Sequence, residues 1–318
     1  MSDTYLGIDI GGTKILSGLV DKKGNVTEML YSRTQTERGR KDLLTRLKEI
    51  IKSYSKKGQH IKGIGVSTGG RVDFNKGIVM YATALLPDWK GTNLKKFIED
   101  EFSIPCLVEN DANCALIAEK MFGAGKSYSN VVMFTLGTGL GSAIILDNKL
   151  VRGKDGLGGE LGHVIIKEGG RKCSCGKRGC LETYTSGWAA EKEANKLIKF
   201  YPKSLLYRTF GQKKERISMK LIIEMAKKGD EFATILVDKL AYYSAIGIDA
   251  VVNALGVERF IVGGGIAEGG GVFLLNRIRN ECKKLSPITG AFSKNISLAQ
   301  LNNRAGMIGA AMLFSFCK

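Results

Sequence analysis

The chain has 318 residues, a formal charge of +17, and 44% hydrophobic and 25% charged residues. That balance excludes a disordered chain and leaves core enough for two domains or one large one. Glycines interrupt the apolar stretch Val131 to Leu146, which is shorter than a membrane-spanning helix needs, so no membrane partner is expected.

The start, MSDTYLGIDIGG, shows neither a basic leader nor a long apolar run. No secretion signal is expected, and a cytoplasmic location follows. The lysines are dispersed in short clusters such as Lys56-Lys57, Lys95-Lys96 and Lys213-Lys214, without interleaved aromatics. That pattern implies a solvated basic surface that attracts anions, and no nucleic-acid partner.

Tyr5 to Ile10 and Ile15 to Val20 read as strands flanking Gly11-Gly12-Thr13-Lys14, a hairpin. Glycine amides and Thr13 there could hold phosphate oxygens, and Asp9 could hold Mg²⁺. The pattern recurs at Phe134 to Gly139, where Gly137-Thr138-Gly139 precedes the strand Ser142 to Leu146. Two such hairpins imply two related halves gripping a phosphate chain.

Between them, Arg40 to Ser53 has helical spacing and Ile61 to Val66 reads as a strand. The loop Ser67 to Asp73 follows; its amides and Thr68 could meet a polar ligand, or it simply connects its neighbours. Asn93 either caps the helix Leu94 to Phe102 or reaches a sugar hydroxyl. The strand Ile104 to Val108 leads into Glu109-Asn110-Asp111 and a helix from Ala112. This corner sets Asp111 at a helix N-terminus, where amides and the helix dipole keep a carboxylate ionised. Such a group can take a proton from an alcohol; helix capping by Asp111 or Asn110 is the plainer role.

Downstream, His163, Cys173, Cys175 and Cys180 are spaced for a closed, structural zinc site. Glu160 and Glu182 flank these ligands and could accept from sugar hydroxyls. The remaining cysteines, Cys106, Cys114, Cys282 and Cys317, sit in apolar contexts and read as core. Trp188 to Phe200, Ile217 to Lys228, Glu231 to Leu255, Val272 to Leu285 and Gly306 to Phe316 read as helices. Arg259 to Val262 reads as a strand ending at Gly263-Gly264-Gly265, where an adenine ring could lie on the backbone or the chain simply turns.

Together, DIGGTK (Asp9 to Lys14), ENDAN (Glu109 to Asn113), LGTGLG (Leu136 to Gly141), GGELGH (Gly158 to His163), CSCGKRGCLE (Cys173 to Glu182) and VGGGI (Val262 to Ile266) resemble the ROK family. That family groups bacterial sugar kinases, glucokinases among them, with related repressors. The resemblance implies an actin-like ATPase (ribonuclease H-like) fold, two α/β domains around a central cleft. The expected division is 1–118 and 119–303, with the helix in 304–318 packing back on the first domain.

The resemblance further implies MgATP as phosphoryl donor and the 6-hydroxyl of a hexose, glucose first, as acceptor. N-acetylmannosamine, N-acetylglucosamine, allose and glucosides are alternatives. Asp111 would be the general base, with Asn110, Glu160, His163 and Glu182, and more weakly Gly70 and Asn93, on the sugar. Gly11, Gly12, Thr13, Thr138 and Gly139 would line the phosphates and Gly264 the adenosine. A homodimer or homotetramer is expected by analogy. Leu85 replaces an asparagine common in family glucokinases, and STGGRVD departs from the commoner P-G loop. The competing class is a sugar-responsive regulator without a DNA-binding domain. A P-loop is not expected, because Gly125-Lys126-Ser127 lacks that motif's first glycine.

Overall fold

The computed structural model describes residues 3–55, 60–82, 85–211 and 216–317, so Lys56-Lys57 and Lys213-Lys214 lie outside the described residues. The chain forms two compact units. One comprises Met1–Lys126, Leu150–Gly159 and Asn303–Lys318, the other Ser127–Lys149 and Glu160–Asn302.

The first unit starts with β1 (Thr4–Ile10), β2 (Lys14–Asp21) and β3 (Val26–Arg33), followed by α1 (Gly39–Ser55). Then come β4 (Ile61–Thr68), β5 (Arg71–Asp73), β6 (Ile78–Tyr81), α2 (Leu94–Phe102), β7 (Cys106–Asn110) and α3 (Asp111–Phe122). Its main sheet has the order β3-β2-β1-β4-β7. β1 and β2 form the antiparallel glycine hairpin, while β4 and β7 run parallel to β1. The parallel register aligns Asp9 with Ser67 and Ser67 with Glu109. The turns that follow β1, β4 and β7 therefore share the carboxyl edge of the sheet, where α/β sheets bind ligands. α1 buries Leu43, Leu47, Ile51 and Tyr54, four residues at helical spacing.

The second unit contains β8 (Val131–Leu136), β9 (Leu140–Leu146) and β10 (Lys149–Leu150). α4 (Glu182–Thr185), α5 (Gly187–Leu197), α6 (Met219–Lys227) and α7 (Glu231–Leu255) follow, then β11 (Arg259–Gly263), α8 (Gly265–Leu285), α9 (Pro287–Phe292) and β12 (Ile296–Leu298). Strand order is β10-β9-β8-β11-β12. β8 and β9 are antiparallel, and β11 is parallel to β8. An antiparallel glycine hairpin with a parallel neighbour thus occurs in both units. α7 is stopped at both ends by local chemistry: Asp230 accepts from Ala233 N, and Gly256 adopts a left-handed cap. Among the described residues no helix is long and apolar enough to cross a membrane.

The chain ends with α10 (Ala305–Phe316), which lies against β1, β4 and α3 of the first unit. Close approach is enforced by glycines. A Cβ at Gly65 would overlap the Ala310 carbonyl, one at Gly7 the Met307 carbonyl, and one at Gly309 the Cys114 carbonyl. These clashes are with backbone, which gives little. Gly65→Ala is expected to cost at least about 1–3 kcal/mol, the range for overpacked cores, read as a lowered denaturant midpoint.

Several boundaries differ from the sequence reading. α3 continues unbroken to Phe122 and packs along α10, so the division falls after Lys126 and not at 118, and Leu150–Gly159 also joins the first unit. Residues 71–73, read as loop, pair as β5 with β6. β3 is mostly exposed and lacks clean alternation, which hid it. α8 begins at Gly265 and contains the non-helical Gly271 (φ 56°, ψ −144°), so the sequence showed only its second part.

Candidate active site

The carboxyl edge of the first sheet gathers three predicted site segments. Asp9 ends β1 half-buried, and Ser67 Oγ donates to its Oδ1 at 2.6 Å. Burial raises the Asp9 pKa, opposed by that hydrogen bond and by the charge of Lys14. A carboxylate in such a place gains from a bound cation. The turn after it is closed by Gly11 N to Lys14 O, 2.9 Å, and Thr34 Oγ1 donates to Gly11 O at 2.6 Å. Thr13 at the tip is exposed. Glycine is required at position 12 because a Cβ would lie 2.7 Å from Leu85 Cβ, so the residue that departs from the family pattern rests on this turn.

Gly70 has φ +99°, and a Cβ there would overlap the Tyr81 carbonyl, so no other residue fits. Its carbonyl accepts from Asn110 Nδ2 at 2.8 Å. Thr68 does not face a ligand: it is fully buried and its Oγ1 accepts from Trp89 Nε1 at 2.9 Å. Asn93 caps α2, its Oδ1 accepting from Lys96 N at 2.9 Å.

At the next corner Asn110 is the cap of α3, its Oδ1 accepting from Ala112 N and Asn113 N. Asp111 is the first helical residue and is exposed. Its Oδ1 accepts from Ala112 N at 2.9 Å and from Asn110 Nδ2 at 3.0 Å. Both donors meet the same oxygen and so restrain the carboxylate at the start of α3. A Cβ on Gly69 would sit 3.8 Å from Asp111 Oδ2, an ordinary contact distance, so the turn after β4 lies beside the carboxylate.

In the second unit, Gly137 N donates to Gly139 O at 3.0 Å, closing the β8–β9 hairpin. The first amides of α5 hold this turn: Gly187 N donates to Gly137 O at 2.8 Å and Trp188 N to Thr138 O at 3.3 Å. Glu182 Oε2 accepts from Leu140 N at 3.0 Å and would lie 2.7 Å from a Cβ on Gly139. Gly264 (φ +85°) links β11 to α8, and a Cβ there would be 2.5 Å from Leu136 O. The turn expected to hold adenosine therefore adjoins the hairpin expected to hold phosphate.

His163, Cys173, Cys175 and Cys180 bring their donor atoms within 4.8 Å of one another. Cys175 Sγ and Cys180 Sγ are 3.7 Å apart, and Cys173 Sγ is 3.6 Å from His163 Nδ1. Tetrahedral zinc with ordinary bond lengths gives edges of about 3.8 Å between sulfurs and about 3.5 Å between sulfur and nitrogen. The cluster fits that ion. Without a cation, burial and then the neighbouring thiols push Cys180 up to about 12; a bound metal reverses that preference. His163 directs Nδ1 to the thiols and Nε2 towards Glu160 Oε2, 3.9 Å away, while Glu182 Oε1 lies 3.9 Å from Cys173 Sγ. The loop itself is fastened by Lys177 Nζ to His163 O at 2.9 Å and Cys173 N to Lys177 O at 2.9 Å.

Ser67 and Glu109 escaped the sequence reading as site residues. Their alignment with Asp9 is a property of strand register, and only a paired-strand reading of ILE-type runs around them would have exposed it.

Two α/β units, each with a glycine hairpin at its sheet, define an actin-like ATPase fold. The ROK family profile matches residues 5–316, and the chain belongs to the ROK family. It is 32% identical over 308 residues to a glucokinase of Thermotoga maritima, covering 97% of this chain and 96% of that one. A xylose repressor of Bacillus spizizenii is 30% identical over 279 residues, 87% of this chain and 67% of the repressor. Among solved structures, a ROK glucokinase of Streptomyces griseus in complex with glucose and AMPPNP superposes with a TM-score of 0.84 at 32% identity, covering 98% of each chain.

Proposed function

We propose that this protein transfers the γ-phosphoryl group of MgATP to the 6-hydroxyl of a hexose, with glucose as the first acceptor. The observation that carries the reading is Asp111: an exposed carboxylate on the first turn of α3, one oxygen held by two donors, at the sheet edge that also carries the glycine turn after Asp9. Full-length similarity to glucokinases supports the same reaction.

In this reading Asp111 orients the acceptor hydroxyl and takes its proton as the new bond forms. Asn110 accompanies it on the sugar, with Glu160, His163 and Glu182 of the second unit proposed for further hydroxyls. Gly70 and Asn93 are proposed more weakly for the sugar; the Gly70 carbonyl already accepts from Asn110 Nδ2 and the Asn93 Oδ1 from Lys96 N. Gly11, Gly12, Thr13 and Lys14 in one unit, and Gly137, Thr138 and Gly139 in the other, are proposed for phosphate and Gly264 for adenosine. Asp9, braced by Ser67, would hold Mg²⁺, which supplies neutralisation of phosphate charge. Zinc is proposed for the Cys₃His cluster as a structural ion that fixes the loop bearing Glu182. A homodimer or homotetramer is proposed, to be sized by light scattering.

Leu85 is 46% exposed and lies against the first glycine turn, an apolar surface at the position where the family resemblance leads one to expect an asparagine. The decisive experiment is therefore an ADP-release assay over glucose, N-acetylmannosamine, N-acetylglucosamine, allose and glucosides. Glucose should give the highest kcat/KM. A higher value for an N-acetylhexosamine would reassign the acceptor. No turnover of any sugar, with sugar binding retained, would favour the regulator class to which the xylose repressor belongs.

A further inference from the structure

The segment Leu150–Gly159 belongs to the first unit, although the chain on either side of it belongs to the second. It delivers Arg152 to the buried side of the Glu109-Asn110-Asp111 corner. Arg152 Nε donates to Glu109 Oε2 at 2.6 Å, and Nη2 donates to Cys317 Sγ at 3.0 Å. The guanidinium also lies 3.8 Å from the centre of the Phe74 ring. Cys317, read from sequence as a core residue, is thus a hydrogen-bond partner near the end of the chain.

Glu109 is 2% exposed. Its second oxygen, Oε1, accepts from Asn110 N at 2.8 Å and from Asn113 Nδ2 at 3.0 Å. One buried carboxylate therefore grips the cap residue of α3 and its first turn, on both sides of Asp111. A carboxylate so deeply buried is costly to leave unpaired, so its orientation depends on the cation that faces it. Without Arg152 the Glu109 side chain loses the partner that fixes Oε2, and any turn towards water loosens its hold on Asn110 and Asn113.

We propose that Arg152 is a positioning residue for phosphoryl transfer: through Glu109 it fixes the corner that aims Asp111. The proposal rests on Asp111 being the base. It concerns orientation of the reacting carboxylate, and a small displacement there costs rate more than binding.

The test compares wild type, Arg152→Met, Arg152→Lys and the double variant Glu109→Gln/Arg152→Met with glucose and MgATP, alongside each melting temperature. Arg152→Met should lower kcat about 10–100-fold with the glucose KM near wild type. The double variant removes both charges but leaves an oxygen for Asn110 and Asn113, so it should recover most of that loss. Should Arg152→Met not fold, Arg152→Lys carries the test: an ammonium cannot reproduce the guanidinium fork to Glu109 and Cys317, and kcat should fall several-fold. An active wild type with unchanged kcat in the folded variants overturns the proposal alone. A melting temperature that falls without a change in kcat does the same, because it assigns Arg152 to stability. A wild type inactive on every sugar overturns the kinase reading instead.

Discussion

Asp111→Asn is expected to lower kcat by roughly 10²–10⁴-fold, the range for losing a general base, while glucose still binds. The substitution keeps shape and removes one function. An asparagine at this position can still accept from Ala112 N through its amide oxygen, which preserves the start of α3. It cannot take the acceptor proton, and it offers no negative charge to orient the hydroxyl. Asn110 remains as the helix cap, so stability should change by only a few tenths of a kcal/mol. Initial rates together with glucose binding by calorimetry check this. A near-normal rate would show that the carboxylate is a capping-region residue and nothing more.

Cys180→Ala is expected to reduce bound zinc from roughly one ion per chain to near none and to lower the melting temperature on the order of 10 °C. Cys180 is fully buried, and its sulfur lies 3.7 Å from Cys175 Sγ in the cluster proposed to hold the ion. Removing one of the four proposed ligands would leave an incomplete shell, and structural zinc sites contribute folding free energy directly. The effect should reach the proposed sugar groups. Glu182 lies beside Cys173 and accepts from Leu140 N, while His163 is itself a proposed ligand, so KM for glucose should rise by about tenfold or more. Metal analysis, melting and sugar kinetics on one preparation check all three. A zinc-free variant with unchanged melting temperature and KM would assign the cluster no structural part.

Much of this was legible in the sequence because it is local. The two hairpins follow from apolar runs broken at Gly11-Gly12 and Gly137-Thr138-Gly139, and their antiparallel pairing is what those breaks require. α7 is framed by Asp230 and Gly256, caps that a sequence displays directly. The zinc-type spacing is likewise a local pattern, and the donor atoms do converge. What escaped is set by pairing over long distances. β3 and β5 owe their conformation to neighbours, since their own residues lack a clear apolar alternation. Thr68 looked available to a ligand until the indole of Trp89 took its hydroxyl. Arg152 lies 43 residues from Glu109 in sequence, and nothing local marks the pair.

The most direct measurement is the identity of the product. Wild-type protein, glucose and MgATP would be followed by phosphorus and carbon NMR. One equivalent of ADP is expected for each equivalent of glucose 6-phosphate, with Asp111→Asn forming neither at a comparable rate. ADP without a sugar phosphate, or phosphate on a hydroxyl other than the sixth, would contradict it.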